Sequence, residues 1–428
     1  MKDHTSLRNH LKQFKKPAVL DIFCGAGGMS LGFQNAGCKI LGGIDNYSHA
    51  VNTHHRNFSE CIVKLPAIDI EFVRLERLSL NPGDVDILIG GPPCQVFSQI
   101  GLGKMKSLGK NIDSDPRNFL YKHYVRFLNY FKPTCFILEN VENLRHKHRI
   151  FPNLLRTLER GLPGQRQQYP GYKIQHIVLN ALDYGVPQQR KRLFIVGFRN
   201  DLDIEFKFPG MLCDHFVTVE EAISDLLPLT APYIPYRGKN TGYKQTDFKK
   251  CYATLPKSEY QKIMRKRIMS SNEPDGVLNH ICRSHNPIDM ICFAMLGQGQ
   301  KYINLPEAMR RYRWDIFDDK YRRLSWNKPS WTLTAHMEKD GLAYIHPTQN
   351  RSISVREAAR IQSFPDDFIF DAPTTKMFRL VGNSVPPLMA EAIARSVIEA
   401  LTGELISTLN FPAGKRSTRD CSQLALTI

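Results

Sequence analysis

The first 200 residues alternate short apolar runs with amphipathic stretches, and this alternation constrains the fold more than any other feature of the chain. Such alternation predicts βαβ units, which build a mainly parallel sheet with helices on its faces, an α/β fold. Ligand-binding residues of such sheets gather on loops at the carboxyl ends of the strands. The six predicted strands are residues 18–23, 39–44, 85–90, 135–139, 174–179 and 193–198.

Length and cysteine content narrow the class of protein. At 428 residues the chain is long for one compact core, so we expect one large and one smaller domain. No run is long and apolar enough to span a membrane, and residues 1–16 lack the apolar core of a signal peptide, so we expect a cytoplasmic protein. The ten cysteines are scattered without a C-x-x-C pair, which predicts reduced, mostly buried thiols and no metal site.

The formal net charge of +17 predicts a polyanionic partner, most often nucleic acid. A well-solvated surface is the alternative, and charge does not distinguish DNA from RNA. From about Asp201, basic residues interleave with aromatic ones, as on a surface that binds phosphates and packs against bases. For any single aromatic we favour another interpretation, the core of a small irregular domain. The basic residues are Lys262, Arg265, Lys266, Arg267, Arg310, Arg311, Arg313, Lys320, Arg322 and Arg323, and the aromatic ones are Tyr312, Trp314, Tyr321, Trp326 and Trp331.

The C-terminal part returns to regular structure. Val385-Pro386-Pro387 precedes a segment in which Met389, Ile393, Val397 and Leu401 recur every four residues. Proline is tolerated at a helix start, and this spacing gives one apolar stripe. We therefore expect a helix that packs against a core, followed from about residue 413 by a polar tail.

A glycine-rich turn follows the first strand, in the run Asp21-Ile22-Phe23-Cys24-Gly25-Ala26-Gly27-Gly28-Met29-Ser30. Glycine lets a backbone approach a ligand closely, so strand, turn and helix predict a nucleotide-binding loop. The spacing is not G-x-G-x-x-G, which disfavours a nicotinamide oxidoreductase. Asp45 ends the next strand and could bind two ribose hydroxyls, and Asp69 could bind an adenine amino group. The alternative for each acid is an ordinary turn or cap residue.

Two further segments carry reactive side chains. In Gly90-Gly91-Pro92-Pro93-Cys94 the prolines stiffen the turn, so the thiol is presented to a substrate rather than buried. An unreactive loop cysteine is the alternative. Glu139 ends an apolar strand, where desolvation should raise its pKa and let it hold a proton near neutral pH.

Together these motifs resemble the DNA (cytosine-5) methyltransferase family, in the family's order and through nearly the whole chain. The glycine loop resembles its S-adenosylmethionine motif, Pro-Cys-Gln around Cys94 its nucleophile motif, and Glu139-Asn140-Val141 its catalytic Glu-Asn-Val. Val96 departs from the glycine that many members carry there, which affects loop flexibility or the fit of the base. Further matches are residues 115–118 with Leu120, the Gln-x-Arg-x-Arg run at 188–192, residues 356–365 and residues 382–385.

The resemblance implies a role for each matched residue. Cys94 attacks carbon 6 of a cytosine, Glu139 acts at N3, and Arg192 contacts O2, while Arg190 holds a phosphate or orients the pocket. The implied cofactor is S-adenosylmethionine and the implied product S-adenosylhomocysteine. The implied cofactor contacts are Phe23, Gly25, Gly27, Gly28, Asp45, Asn46, Asp69, Ile70, Pro92, Leu120, Asn383 and Ser384.

The resemblance also implies an organisation of the chain. We expect a catalytic domain at residues 1–200, a target-recognition domain at 201–372 and a C-terminal segment at 373–428 that returns to the catalytic domain. Sequence specificity should lie between about residues 201 and 350, where Trp331-Thr332-Leu333-Thr334 resembles the Thr-Leu dipeptide of such regions. The Gly- and Lys-rich loop at 99–114 is predicted to be mobile and to close over DNA.

The implied substrate is double-stranded DNA with the target cytosine flipped out of the helix. The size resembles that of bacterial or phage modification enzymes, so we expect a nucleoid-associated monomer with a cognate restriction endonuclease as a candidate partner. Two alternatives stay open. One is an RNA methyltransferase like the tRNA-acting branch, whose Cys-Phe-Thr signature is absent here. The other is a non-catalytic DNA-binding relative, although Cys94, Glu139 and Arg192 are all present.

Overall fold

A computed structural model of the chain describes residues 16–93, 119–164, 167–213, 215–232, 247–269, 276–311 and 320–404. Several sequence predictions fall outside these ranges. They are the nucleophile Cys94 with Val96, the loop at 99–114, the motif at 115–118 and the tail from about 413.

Six strands form one sheet in the order β2-β1-β3-β4-β6-β5. Adjacent strands from β2 to β4 are parallel, whereas β6 is antiparallel to both β4 and β5, so β6 alone is reversed. The predicted α/β fold with a mainly parallel sheet is confirmed. The strands are β1 Ala18–Ile22, β2 Lys39–Ile44, β3 Ile87–Gly90, β4 Cys135–Val141, β5 Tyr172–Asn180 and β6 Lys191–Arg199.

Helices cover both faces of the sheet because its strands are apolar on both sides. Along β1, Val19 joins one buried cluster while Leu20 and Ile22 join the other, as the two-residue period of a strand requires. The helices are α1 Gly28–Asn35, α2 Ser48–Asn57, α3 Tyr121–Phe131, α4 Ile150–Arg160, α5 Val219–Ile223, α6 Glu259–Met269, α7 Pro287–Met295, α8 Val355–Ile361, α9 Thr374–Asn383 and α10 Pro387–Thr402.

Helix α10 is the predicted C-terminal helix, and its apolar stripe is buried as expected. Met389, Ile393, Val397 and Leu401 are each at most 1% exposed. The helix packs on α1 so closely that a Cβ at Gly32 would lie 2.5 Å from the Cβ of Ala390. This contact places the C-terminal helix against the helix that follows the glycine-rich turn.

Residues 201–372 contain short helices and irregular segments, and in their described parts they add no strand to the sheet. Buried ion pairs hold these segments together. Arg360 binds Asp225 at 2.5 Å and Asp366 at 2.7 Å, and Arg351 binds Glu357 at 2.6 Å. The main apolar cluster contains residues from both sides of position 201, and the three-part division of the chain remains a prediction.

Two arginines of the predicted phosphate-binding surface are core residues instead. Arg265 binds the buried Asp225 at 3.3 Å and lies 3.5 Å from the Tyr252 ring centroid. Arg323 donates to the carbonyl oxygens of Phe293 and His346, both at 2.5 Å. A buried carboxylate or several carbonyls compensate the desolvation of each guanidinium, so the surface prediction is wrong for these two.

The aromatic residues near the same clusters belong to cores, as favoured from the sequence. Tyr321 is fully buried in a small cluster with Phe293 and Tyr302. Trp326 and Trp331 are half-buried against the main cluster. Tyr312 and Trp314 lie outside the described residues.

The described cysteines carry free thiols, and all of them except Cys251 are buried, as predicted. In the described part of the chain, no helix is both long and apolar enough to cross a membrane. The same residues include no group of three or more metal-ligating side chains.

Candidate active site

Glu139 and Arg192 meet at one edge of the sheet because of the register of two strands. In the antiparallel pair β4 and β6, Glu139 is opposite Phe194 and Val141 is opposite Arg192. Glu139 and Arg192 are therefore diagonal neighbours on the same face of the sheet. Arg192 Nε lies 2.9 Å from Glu139 Oε1, and their side chains are only 15% and 12% exposed. Both side chains are thus largely, though not completely, shielded from solvent.

Burial raises the pKa of Glu139, and this confirms the prediction made from its place at a strand end. The charges of Arg192 and Arg190 act in the opposite direction without cancelling the effect of burial. A carboxyl group in this environment keeps its proton to a higher pH than an exposed one. Glu139 is therefore suited to donate a proton or a strong hydrogen bond at a higher pH than an exposed glutamate.

The turn after β3 lies beside this carboxyl group. Gly90 pairs with Leu138, so the next residue, Gly91, is adjacent to Glu139. A Cβ at Gly91 would lie 2.9 Å from Glu139 Oε2, so a side chain at this position would press on the carboxyl group. Asn140 Nδ2 donates to the carbonyl oxygen of Pro92 at 3.1 Å and fixes the turn that leads into Cys94. Sequence reasoning missed the closeness of Gly91 to Glu139 because it depends on the pairing of β3 with β4.

Arg190 has a different environment from Arg192. Its guanidinium donates to the carbonyl oxygens of Leu333 at 2.7 Å, Gly382 at 3.1 Å and Ser384 at 2.9 Å, and the residue is 1% exposed. An arginine so enclosed cannot reach a DNA phosphate, so that alternative is wrong. Arg190 instead ties the start of β6 to two distant segments, and its role in orienting the pocket remains a prediction.

Gln188 makes parallel connections two residues earlier. Its Oε1 accepts the amide of Leu333 at 2.8 Å, and its Nε2 donates to Gln362 Oε1 and to the carbonyl of Ile361. Thr332 in turn donates its hydroxyl to the Gln189 carbonyl at 2.6 Å. The Gln-x-Arg-x-Arg run thus binds the predicted Thr-Leu stretch to the catalytic sheet.

The glycine-rich turn after β1 adopts unusual backbone angles. Phe23, Gly25 and Gly27 have φ values of +60°, +55° and +95°. Phe23 is half-buried against the apolar core. Because it is not a glycine, its positive φ is a local backbone strain of the kind found at functional sites. The space beside Gly25 is open, because no described atom comes within 4 Å of the point where a Cβ would lie. The turn therefore offers backbone to a ligand.

Gly28 closes the turn against the C-terminal segment, because a Cβ there would collide with the carbonyl oxygen of Val385. We expect Gly28→Ala to destabilise the protein by about 1–3 kcal/mol, the usual effect of overpacking. Gly210→Ala is the matched control, since no described atom lies within 4 Å of its Cβ position. Urea unfolding of both variants checks this, and equal stability of the two would contradict the packing argument.

Asp45 and Asp69 both lie near this turn. Asp45 accepts the amide of Gly25 at Oδ2 and the amide of Tyr47 at Oδ1, each at 2.9 Å. Burial raises its pKa, and these amide bonds oppose the rise. Asn46 Nδ2 donates to Asp69 Oδ1 at 2.5 Å, so two predicted cofactor contacts are brought together at the surface.

The other predicted cofactor residues differ in exposure. Ile70 and Pro92 are buried, Leu120 is half-buried at the start of α3, and Asn383 is exposed at the end of α9. The Ser384 hydroxyl donates to the carbonyl of Leu380 at 2.7 Å. Ile70 and Ser384 are thus engaged within the fold, and their roles as cofactor contacts remain predictions.

These groups fit S-adenosylmethionine as a ligand. The Asp45 carboxylate accepts backbone amides and keeps lone-pair capacity that suits ribose hydroxyls. The open backbone at Gly25 admits a close approach, and the exposed Asp69 can accept a hydrogen bond from an adenine amino group. The residues present therefore fit the methyl donor that the family resemblance implies.

Comparison with known proteins settles the family. Residues 18–399 match the family described as C-5 cytosine-specific DNA methylase. The chain belongs to this family. It is 32% identical to type II methyltransferase M.DdeI of Desulfomicrobium norvegicum, over 89% of this chain and 88% of that protein. It is 34% identical to type II methyltransferase M.XorII of Xanthomonas oryzae pv. oryzae, over 90% of this chain and 85% of that protein.

The fold of this methylase is also similar to that of a solved structure. It is described as a putative DNA modification methyltransferase encoded within a prophage of E. coli. The TM-score is 0.68 and the identity 25%, over 90% of this chain and 99% of that one. The predicted family, the α/β methyltransferase fold and the enzyme class of DNA (cytosine-5) methyltransferase are confirmed.

A buried polar network that sequence reasoning missed lies under the glycine loop of the methylase. Ser30 donates its hydroxyl to Asp21 Oδ2 at 2.6 Å and lies 3.1 Å from His54 Nε2. All three side chains are at most 1% exposed. Burial raises the pKa of Asp21 to about 7 and lowers the pKa of His54 to about 3. The only sequence signal was an acid within an apolar strand.

The raised pKa of Asp21 predicts a pH-dependent stability difference. Its pKa rises from 3.8 in the unfolded chain to about 7 in the folded protein, so the folded state binds the extra proton between these values. The stability from this group is complete below pH 3.8 and is lost as pH rises through 7. The wild-type protein should therefore lose stability relative to Asp21→Asn as pH rises from 4 to 8. The difference between their free energies of unfolding should change by at most about 4 kcal/mol, at 1.36 kcal/mol per pKa unit. Urea unfolding of both proteins across this range checks it, and a constant difference would show that Asp21 does not titrate this way.

Proposed function

We propose that this methylase transfers a methyl group from S-adenosylmethionine to carbon 5 of a cytosine in duplex DNA, through a covalent adduct with Cys94, and releases S-adenosylhomocysteine. The observation that carries the proposal is the shielded Glu139–Arg192 pair beside the turn that leads into Cys94. Cys94 follows that turn directly in the chain, and Asn140 holds the turn through Pro92. The nucleophile and the acid are thereby supplied from neighbouring parallel strands.

The chemistry explains why a thiol and an acid are both needed. Carbon 5 of cytosine is a weak nucleophile, and addition of the Cys94 thiolate to carbon 6 makes it enamine-like. A proton or hydrogen bond from Glu139 to N3 takes up the charge that this addition creates. S-adenosylmethionine, when bound, would supply an electrophilic methyl group: carbon 5 would bond to that methyl as the bond from methyl to the sulfonium sulfur breaks, leaving S-adenosylhomocysteine. Water or hydroxide takes the carbon 5 proton, the bond between the Cys94 sulfur and carbon 6 breaks, and any proton on N3 returns to Glu139. The products are 5-methylcytosine and the free thiolate.

Arg192 contacts Glu139 and is placed to contact the target cytosine as well. Its Nε binds Glu139 and its Nη1 donates to the Lys191 carbonyl at 2.7 Å, so the guanidinium is held in one orientation. A guanidinium has five N–H groups in a fixed plane, and the remaining ones can donate to cytosine O2. Arg192 would then orient the pyrimidine so that N3 faces Glu139.

A duplex substrate requires base flipping, because carbon 6 is inaccessible within the stacked helix. Flipping costs a few kcal/mol, which contacts with the base and phosphates can offset. The net charge of +17 supports such contacts, and the loop at 99–114 is our candidate for closure over DNA. Residues 201–350 remain our prediction for the region that selects the target sequence.

The relatives suggest a biological role. M.DdeI and M.XorII are type II methyltransferases by name, and we extend that class to this chain. Methylation would then protect sites in the nucleoid from a cognate restriction endonuclease. We expect a cytoplasmic monomer, since a single flipped base needs one active site.

Transfer of labelled methyl groups from S-adenosylmethionine tests the proposed substrate. Duplex DNA, single-stranded DNA and total tRNA are compared, with Glu139→Gln as the matched site variant. We expect label in duplex DNA, at carbon 5 of cytosine, and little in tRNA. Label in tRNA alone would overturn the proposal in favour of an RNA methyltransferase, and no label despite binding of S-adenosylmethionine would favour a non-catalytic relative.

A further inference from the structure

Arg379 lies between the cofactor side of the enzyme and the end of the predicted recognition region. It belongs to α9, and its guanidinium carbon is 4.3 Å from the centroid of the Tyr47 ring. Its Nη1 is also 3.6 Å from Glu338 Oε2. The Arg379 side chain is 33% exposed, so it lies at the surface and contacts both Tyr47 and Glu338 there. Neither the glycine loop nor the catalytic motifs account for these contacts.

The Tyr47 side of the contact leads directly to Asp45. The Tyr47 amide donates to Asp45 Oδ1, and the other carboxylate oxygen accepts the amide of Gly25. A shift of Tyr47 would therefore change the aim of the carboxylate. The charge of Arg379 is also one of the factors that lower the pKa of Asp45, against the larger rise caused by burial. Arg379 favours both the position and the ionised form of the acid.

The Glu338 side of the contact is held rigidly. Glu338 ends a short 3-10 turn, Ala335–Glu338, and Arg283 donates to the carbonyls of Met337 at 2.6 Å and Glu338 at 3.0 Å. The Arg283 guanidinium also lies 5.5 Å from the ring centroid of Phe378 on α9. The turn is thus fastened to the helix that carries Arg379.

We propose that Arg379 is a positioning residue for the methyl donor: anchored by Glu338, it holds Tyr47 and thereby aims Asp45 at the ribose. This inference rests on the proposed function, in which Asp45 binds S-adenosylmethionine. A cation over an aromatic face is attracted by the ring quadrupole, and the attraction grows as water is excluded. Glu338 restricts the guanidinium to the side of the ring, and Lys376 on the preceding turn of α9 pairs with the same Glu338.

The dissociation constant of S-adenosylmethionine, measured by calorimetry on the full chain without DNA, tests this role. We expect Arg379→Met to raise it about fivefold, a typical effect of a partly exposed cation–π contact. Lys376→Met is the matched control, because it removes the same charge from the same helix and another partner of Glu338. It should stay within about twofold of wild type. Tyr47→Leu should weaken binding more than Tyr47→Phe, which keeps the ring.

A cycle of variants separates positioning from a general loss of stability. If Arg379 acts through Tyr47, the double variant Arg379→Met with Tyr47→Leu binds no more weakly than Tyr47→Leu alone. Equal dissociation constants for Arg379→Met and Lys376→Met, at equal melting temperatures, would overturn the inference. Additive effects in the double variant would overturn it as well. If the wild-type chain does not bind S-adenosylmethionine, or if Asp45→Ala leaves the dissociation constant unchanged, the proposed function itself is contradicted.

Discussion

Cys94→Ala should abolish methyl transfer while the protein remains folded and still binds S-adenosylmethionine. Without the thiolate no bond forms to carbon 6, and carbon 5 stays too weak a nucleophile to accept the methyl group. Loss of a covalent nucleophile typically lowers kcat by on the order of 10⁴-fold or more. The rate of label transfer to duplex DNA measures the loss, and calorimetry with S-adenosylmethionine shows that the cofactor site is intact.

A duplex containing 5-fluorocytosine tests the adduct itself. After methyl addition the fluorine on carbon 5 cannot leave as a proton does, so the bond between sulfur and carbon 6 cannot be eliminated. Wild-type protein should form a complex with this duplex that survives denaturation, and Cys94→Ala should form none. Full activity of the alanine variant, or an unchanged yield of the complex, would rule out Cys94 as the nucleophile.

Glu139→Gln should lower kcat by about 10²–10⁴-fold, the usual contribution of a general acid. Glutamine keeps the size of the side chain but has no proton to transfer, and Arg192 loses its carboxylate partner at 2.9 Å. Glu159→Gln on α4 makes the same change away from the site and should leave kcat unchanged. A variant with wild-type kcat would exclude Glu139 as the acid.

The pH profile adds a second test of Glu139. Burial raises the pKa of this carboxyl group, so the protonated form that we propose acts on N3 persists to a higher pH than for an exposed acid. Wild-type kcat should therefore fall as pH rises through this raised pKa. The fall should be missing in Glu139→Gln, whose side chain does not titrate in this range. The same descending limb in both proteins would assign it to another group.

The sheet was predictable because its strands are buried on both faces and thus appear as continuous apolar runs. β2 has the predicted bounds, while β4 continues to Val141, two residues past the predicted end, because β6 pairs with it as far as Arg192. β5 is also longer than predicted, because many of its residues are only partly buried and the apolar pattern at its two ends is weak. The reversed direction of β6 depends on connections that no local pattern encodes.

The candidate site was predictable in its residue types but not in its contacts. The position of Glu139 at a strand end was enough to predict a raised pKa. The contact of Glu139 with Arg192 and the closeness of Gly91 to the acid depend on the register of β4 with its two neighbours, which the sequence does not state. Arg190 differs from Arg192 only in being enclosed by segments more than 140 residues away.

The buried arginines show where a charge pattern misleads. Arg265 and Lys266 are adjacent, yet Arg265 is 1% exposed and Lys266 is exposed. Helical periodicity could have separated them, since Arg265 lies one turn after the buried Gln261 on the same face of α6. Its partner Asp225 lies 40 residues earlier and leaves no local signal.

Expression in a host that lacks cytosine methylation, followed by mapping of 5-methylcytosine across the host DNA, tests the central claim most directly. Cys94→Ala, expressed to the same level, is the control. We predict one short sequence methylated at carbon 5 with the wild-type protein and none with the variant. An unmethylated genome, despite soluble wild-type protein that binds S-adenosylmethionine, would contradict the claim.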